Sequence, residues 1–218
     1  MGDIETVEVF LKGHQRGPWA SGAYDVSVEK PYLLFPKDRK AVLKELSETD
    51  YHKHQFAFKV SDYGRDASAK KYALLSARLY RLLADKGYFH PKTVFGVYST
   101  GGGRDRVYRI FSIMPKLEPL QKSDFKSMKE TAKILVDLLK THGMPTGLAD
   151  FLMESPYVHQ NFMRDEKGAV YAVDAGLWPL REDVPTAKKL LEIPEIKKFW
   201  AGWKKLGKQK KTPKEKPL

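Results

Sequence analysis

The sequence predicts an α+β fold, in which a strand-rich part with one long helix precedes a mainly helical part. Short segments of alternating apolar and polar residues recur in the first half, with glycine and proline between them. Two longer segments, one in each half, place leucines at helical spacing. The chain has 218 residues, 42% of them hydrophobic, so it can bury a core as one domain or two small lobes.

Four short strands are predicted in the first sixty residues, and they cover residues 7–11, 23–28, 32–35 and 55–60. Between the last two, residues 37–48 are polar except at a few positions. Because Val42, Leu43 and Leu46 recur at helical spacing, this segment is predicted to be a short amphipathic helix.

Residues 66–86 are predicted to form the long helix of the first half, with Gly87 as its stop. Its apolar positions are Leu74, Leu75, Leu79, Leu82 and Leu83. Strands at 94–98 and 107–114 follow, joined through Gly101-Gly102-Gly103-Arg104. Three glycines can cradle a phosphate, but no helix begins after them, so a hairpin turn is the favoured interpretation.

The second half begins where Met114-Pro115-Lys116-Leu117-Glu118 leaves the predicted sheet. A second long helix is predicted from Ser123, with Met128, Ile134, Leu135, Leu138 and Leu139 facing inward. Beyond it we expect strands at 161–163 and 170–173 and helical segments at 186–192 and 195–206.

The formal net charge of +12 is concentrated at the C-terminus, since seven lysines and one glutamate lie between Lys204 and Leu218. This segment is predicted to be a solvated, flexible tail. It could hold nucleic acid, anionic lipid or an acidic protein, or serve only for solubility. Phe199 and Trp203 are four residues apart, a spacing more typical of core anchors than of base-stacking platforms.

Several classes of protein are excluded by composition. No segment approaches the roughly 20 consecutive apolar residues of a membrane span. The N-terminus, Met1-Gly2-Asp3-Ile4-Glu5, is too acidic for a secretory signal, and the chain has no cysteine for disulfides or thiol chemistry. We therefore expect a soluble, cytoplasmic protein.

A resemblance to a known family lies in His159-Gln160-Asn161-Phe162-Met163 and Val173-Asp174-Ala175-Gly176. These segments resemble the metal-binding stretch of the protein kinase and aminoglycoside-phosphotransferase-like superfamily, where an Asn, a tight hairpin and an Asp-x-Gly follow in order. Asn161 and Asp174 are 13 positions apart, with the turn 165–168 between them. The resemblance implies that both residues hold Mg²⁺ against the phosphates of ATP.

The first half supports the same resemblance. Phe56-Ala57-Phe58-Lys59 resembles the family's V-A-I-K strand, which implies that Lys59 neutralises nucleotide phosphates. Gly22 lies where the family's glycine-rich loop covers the phosphates, and Met114 lies where its hinge holds the adenine. The family implies a nucleotide-binding lobe at 1–117, a reduced helical lobe at 118–206 and a basic tail at 207–218.

The sequence departs from the family at three points. The position of the catalytic Asp, five before Asn161, is Pro156. The displaced candidate is Asp150, for which a structural cap or a surface acid is the favoured interpretation. No Glu lies in the helix predicted at 66–86 to pair with the strand lysine. Only 42 residues follow Gly176, too few for an ordinary peptide-binding platform, so the C-terminal lobe is expected to be truncated.

Three functions therefore remain open from the sequence. The first is a divergent kinase-like phosphotransferase that uses ATP and Mg²⁺ to phosphorylate a protein or small-molecule hydroxyl. The second is a pseudokinase that acts as an interaction scaffold. The third is a basic nucleic-acid-binding module.

Overall fold

A computed structural model describes residues 2–14, 20–21, 30–48, 56–64, 69–144, 158–173 and 190–209. Over these ranges the protein has five α-helices, a five-stranded sheet and a three-stranded sheet, which confirms the predicted α+β class. No helix in the described ranges is long and apolar enough to cross a membrane.

The elements follow one another along the chain in a simple order. The strands are β1 (Ala20–Ser21), β2 (Tyr32–Leu34), β3 (Phe56–Gly64), β4 (Val94–Thr100), β5 (Val107–Pro115), β6 (Glu118–Pro119), β7 (Phe162–Arg164) and β8 (Val170–Ala172). The helices are α1 (Asp3–His14), α2 (Arg39–Ser47), α3 (Ala69–Asp85), α4 (Phe125–Thr141) and α5 (Pro194–Gln209). Short 3₁₀ turns cover Gly103–Asp105, Lys122–Asp124 and Val158–Asn161.

The larger sheet has the strand order β1-β3-β5-β4-β2. Strand β1 runs parallel to β3, and the other neighbours are antiparallel. The glycine segment after Thr100 joins β4 to β5, as predicted, and Gly101 and Gly103 adopt positive φ angles of 71° and 56°. Glycine reaches this region without the steric cost that a Cβ imposes, which explains the choice of residue in this tight connection.

Two apolar clusters cover the two faces of this sheet. On one face, α3 packs over β4 and β5, and the cluster continues to α4, to the β7–β8 hairpin and to the start of α5. On the other face, α1 and α2 pack over residues Phe56, Val94, Tyr98, Phe111 and Ile113. The sheet is therefore sandwiched between helices, with its central strands buried on both sides.

The strand predicted at 7–11 is wrong, because this segment lies in helix α1. Val7, Phe10 and Leu11 are fully buried, whereas Val9 is 50% exposed. A strand would direct Phe10 away from Val7 and Leu11, but a helix brings positions i, i+3 and i+4 to one face. Burying each such side chain contributes roughly 1.5–3 kcal/mol, which favours the helix.

Most of the other described elements agree with the sequence predictions to within a few residues, whereas strands β1 and β6 were not predicted. The strands at 32–35, 55–60, 94–98 and 107–114, the helices at 37–48 and 66–86, and both late strands are confirmed. Helix α4 begins at Phe125, after a 3₁₀ turn that includes the predicted start at Ser123. The strand predicted at 23–28 and the helical segment at 186–192 lie outside or mostly outside the described residues.

The C-terminal helix α5 packs against α3. Ile196 is fully buried, and the ring of Phe199 meets that of Tyr32 edge-on at 5.8 Å. Burial at this contact raises the pKa of Tyr32, an effect opposed by the charge of Arg78. Phe199 is thus a packing residue, as its spacing predicts. The tail predicted from residue 207 overlaps the last turn of α5, and residues 210–218 lie outside the described ranges.

Candidate functional site

Two of the predicted nucleotide-binding residues, Lys59 and Met114, lie on adjacent strands of the larger sheet. The Cα of Lys59 in β3 is in register with Ser21 of β1 on one side and Ser112 of β5 on the other. Gly22 follows Ser21 directly in the chain, although it lies outside the described residues. The start of the predicted glycine loop is therefore next to the strand that carries Lys59.

Met114 lies two residues further along β5, in register with Ala57, and is only 4% exposed. The neighbouring Ser112 is 2% exposed, and its hydroxyl has no hydrogen-bond partner among the described residues. After Met114 the strand ends at Pro115, whose ring supplies no backbone N–H for a continued ladder. The chain then forms β6 at Glu118–Pro119, so the predicted hinge connects the two sheets.

The second sheet contains the predicted metal-binding hairpin. Asn161 ends the 3₁₀ turn just before β7 and is half-buried. Its carbonyl oxygen accepts a hydrogen bond of 2.9 Å from the backbone N–H of Val173, just beyond β8. Asp174 follows Val173 in the chain but is not among the described residues. The hairpin thus closes at Asn161 and Val173, directly before the predicted acidic ligand.

The turn of this hairpin is held by Asp165. Its Oδ1 accepts hydrogen bonds from the backbone N–H groups of Lys167 at 3.0 Å and of Ala169 at 2.8 Å. Gly168 adopts a φ of 80°, which other residues rarely adopt. A carboxylate that accepts from two amides of its own turn is a common way to fix a tight loop. The turn therefore sets the register that pairs Asn161 with Val173.

An ion-pair network attaches the hairpin to the segment after β5. Arg164 of β7 donates from Nη2 to Glu118 of β6 at 3.0 Å, and its Nε lies 3.8 Å from Asp124. Asp124 also accepts a 2.7 Å hydrogen bond from the N–H of Gln121, in a capping box that precedes α4. Sequence reasoning missed this network. The available signal was the opposite charge of Glu118 and Arg164, which only strand pairing makes neighbours.

Two further contacts tie the hairpin to the first half of the chain and to α4. The backbone N–H of Ala172 donates to the carbonyl of Tyr88 at 2.8 Å, and Phe89 forms a β-bridge with Ala172. From α4, the buried hydroxyl of Thr131 donates to the carbonyl of Val170 at 3.0 Å. Strand β8 is therefore fixed on both sides.

Titratable side chains cluster at the junction where strand β8 meets the segment that follows α3. The imidazole of His90 meets the ring of Tyr171 edge-on, with 4.9 Å between centroids. Burial lowers the pKa of His90, Asp165 and Glu45 oppose this effect, and Lys92 adds to it. Burial also raises the pKa of Tyr171, which is hydrogen-bonded to Asp165. The junction therefore favours a neutral imidazole.

The described residues cover half of the predicted site. Lys59 and Met114 lie on neighbouring strands, and Asn161 lies at the base of the second sheet's hairpin. Gly22, Asp150 and Asp174 fall outside the described residues, as does Pro156. Among the described residues, no group of three or more His, Asp or Glu side chains is placed to bind a metal ion.

Comparisons of the chain with protein-family models, with curated proteins and with solved structures returned no match.

Proposed function

We propose that this protein is a divergent, minimal kinase-like phosphotransferase with two lobes and a truncated C-terminal lobe. It binds ATP with Mg²⁺ and transfers phosphate to a hydroxyl of a protein or a small molecule. The observation that carries the proposal is the register Ser21–Lys59–Ser112, which aligns β1, β3 and β5. The strand that carries Lys59 therefore lies between the strand that precedes Gly22 in the chain and the strand that contains Met114, which supports the proposal.

The connection between the sheets adds a second line of support. The chain passes from β5 through Pro115 into β6, which pairs with β7 immediately after Asn161. In a kinase of this type, the nucleotide lies between the adenine-binding segment and the metal-binding hairpin. The direct connection from β5 to β6 supports such an arrangement, because it brings the two segments into neighbouring sheets.

The chemistry proposed for each residue is the one that the resemblance implies. The ammonium of Lys59 neutralises phosphate charge, and backbone groups around Met114 bind the adenine edge. Asn161 and Asp174 supply the hard oxygen ligands that Mg²⁺ prefers. Asp150 orients the acceptor hydroxyl, and stabilisation of the transferring phosphate's charge accounts for most of the rate acceleration.

A pseudokinase is the second candidate, and the composition of α3 favours it. Residues 69–85 contain no glutamate, so this helix has no carboxylate of the usual kind to position Lys59. Pro156, at the usual catalytic position, can neither accept nor orient a proton. A protein of this kind, with or without bound nucleotide, transfers no phosphate and acts as an interaction scaffold through its surfaces.

Two measurements separate these functions. Thermal unfolding with ATP and Mg²⁺ detects binding, because a ligand at about 100 times its Kd stabilises the fold by about 2.7 kcal/mol. Incubation with labelled ATP, alone and with generic proteins or small hydroxyl compounds, detects transfer. We expect Lys59→Ala and Asp174→Ala to lose both, and Asp150→Asn to lose transfer but keep binding.

A matched control is Asp105→Ala, which removes an exposed carboxylate in the β4–β5 connection. It should leave binding and transfer unchanged. Stabilisation by ATP without any transfer would establish the pseudokinase instead. If a folded protein showed neither stabilisation by ATP nor phosphate transfer, the nucleotide-binding proposal would be overturned.

A further inference from the structure

The exposed face of α5 carries lysines, while its larger described apolar side chains pack against the rest of the protein. Lys197, Lys198 and Lys204 are exposed. On the other side, Ile196 is fully buried, and Phe199 and Trp200 pack against the main core cluster. The charged side chains that α5 is seen to expose to a partner are therefore mostly lysines.

Helix α3 adds charge to the same surface. The ammonium of Lys71 on α3 and that of Lys204 on α5 each lie 5.9 Å from the centroid of the Trp200 ring. Two cations from different helices thus converge on one indole, and Arg78 of α3 lies 5.6 Å from the Phe199 ring. Positive charges gathered on one part of the surface create a local positive potential that an anion relieves.

The charge extends along the chain beyond these side chains. From Lys197 to Leu218 there are nine lysines and one glutamate, a net charge of +8 out of +12 for the whole protein. The lysines thus continue from the exposed face of α5 into the C-terminal segment. A partner with regularly spaced negative charges fits this distribution better than one with a single anionic group.

We propose that the lysine-bearing face of α5 binds nucleic acid through the phosphate backbone, without sequence preference. A membrane surface is disfavoured because Ile196, Phe199 and Trp200 of α5 already pack in or against the main core cluster, so they do not insert into lipid. Base stacking by Phe199 and Trp200 is disfavoured for the same reason. This surface lies outside the proposed nucleotide site and does not depend on phosphotransfer.

The test measures binding of a labelled DNA duplex of about 20 base pairs by fluorescence anisotropy, at about 50 mM and about 200 mM salt. The variant Lys197→Ala/Lys198→Ala/Lys204→Ala should weaken binding about tenfold or more. It should also reduce the slope of log K against log salt by about 0.9 for each phosphate that the protein no longer neutralises. Replacing the same three lysines with arginine should preserve the affinity.

The matched control is Lys126→Ala/Lys129→Ala/Lys133→Ala, which removes three exposed lysines from α4. If this control weakened DNA binding as much as the α5 variant does, the effect would be due to net charge alone, and the proposal would be overturned. So would equal affinity for polyglutamate at the same charge concentration, or binding to phosphatidylserine vesicles with no binding to DNA. A second duplex of unrelated sequence should bind equally well, and a strong sequence preference would contradict backbone recognition.

Discussion

The backbone N–H of Val173 donates a 2.9 Å hydrogen bond to the carbonyl of Asn161, closing the β7–β8 hairpin across 12 positions of sequence. This bond joins main-chain atoms, so it survives when the side chain of Asn161 is replaced. The structural role of position 161 can therefore be separated from the ligand role proposed for its amide.

The first prediction concerns the Asn161 side chain. Asn161→Ala should keep its stability within about 0.5 kcal/mol, since the main-chain acceptor is retained. If the amide holds Mg²⁺, the affinity for ATP with Mg²⁺ should fall about tenfold, equivalent to about 1.4 kcal/mol. Calorimetric titration with and without Mg²⁺ measures this difference. Gln160→Ala changes an exposed neighbour and should bind as the wild type does.

The second prediction concerns Arg81, which is 2% exposed. Its guanidinium donates to the carbonyl of Thr93 at 2.6 Å, to that of Pro91 at 3.1 Å and to Asp85 at 2.9 Å. Burial lowers the pKa of Arg81, and Asp85 opposes this effect. Arg81→Met leaves these acceptors without their donor, so it should reduce the free energy of unfolding by about 3 kcal/mol.

Denaturant unfolding measures the effect of Arg81→Met. Arg81→Lys keeps the charge but loses the forked geometry, so its effect on stability should be intermediate. Arg104→Met, at an exposed arginine of the β4–β5 connection, should be nearly neutral. Equal stability of the Arg81→Met and Arg104→Met variants would show that the buried guanidinium does not hold α3 to the start of β4.

The third prediction concerns Gly96, which is in direct register with Phe111. A Cβ at position 96 would overlap the Phe111 ring, which occupies the space above the glycine. Gly96→Ala should therefore destabilise the protein by about 1–3 kcal/mol, as overpacking does elsewhere. Phe111→Leu should lower the free energy of unfolding by less in the Gly96→Ala variant than in the wild type, because the smaller side chain relieves the clash.

The control for this prediction is Gly102→Ala. Gly102 is exposed and has a φ of −134°, and a Cβ there would meet no atom of the described residues within 4 Å. This change should alter the midpoint of thermal unfolding only slightly. Strictly additive effects of Gly96→Ala and Phe111→Leu would contradict the proposed steric coupling.

The fourth prediction concerns His90 and pH. Because burial lowers the pKa of His90, the folded state favours the neutral ring, and the unfolded state binds more protons. The stability that this provides is complete above the ordinary histidine pKa of about 6.5 and is lost as the pH falls through the lowered value. Urea unfolding between about pH 5 and pH 8 should show this loss.

In His90→Gln, the free energy of unfolding should depend less on pH than in the wild type. The difference in this free energy between the two proteins should therefore become smaller towards low pH. Tyr171→Phe keeps the aromatic ring beside His90 and should retain the wild-type slope. An unchanged slope in His90→Gln would assign the effect to another group. The carboxylates of Asp165 and Glu45 and the ammonium of Lys92 also act electrostatically on His90.

The sequence pattern was sufficient to predict an element where the apolar residues matched only one periodicity, either helical or alternating. In α3, apolar residues recur along the whole helix, and Gly87 ends it with a φ of 88°. At residues 7–11 the pattern satisfied both alternation and helical spacing. Only the packing of Phe10 beside Val7 and Leu11, over Phe56 of the sheet, distinguishes the two. The pairing of β6 with β7 could not be read from either segment, because each is only two or three residues long.

The sequence by itself determined helices α3 and α4, strands β4 and β5 between them, the hairpin turn at 165–168 and the concentration of lysines at the C-terminus, because these depend on near neighbours in the chain. Tertiary structure decided that Ser21 and Lys59 are in register, that Arg164 meets Glu118, and that α5 turns Phe199 and Trp200 onto the core. These relationships join residues far apart in sequence. They depend on which faces of the helices and sheets are buried against one another, and local periodicity does not determine this.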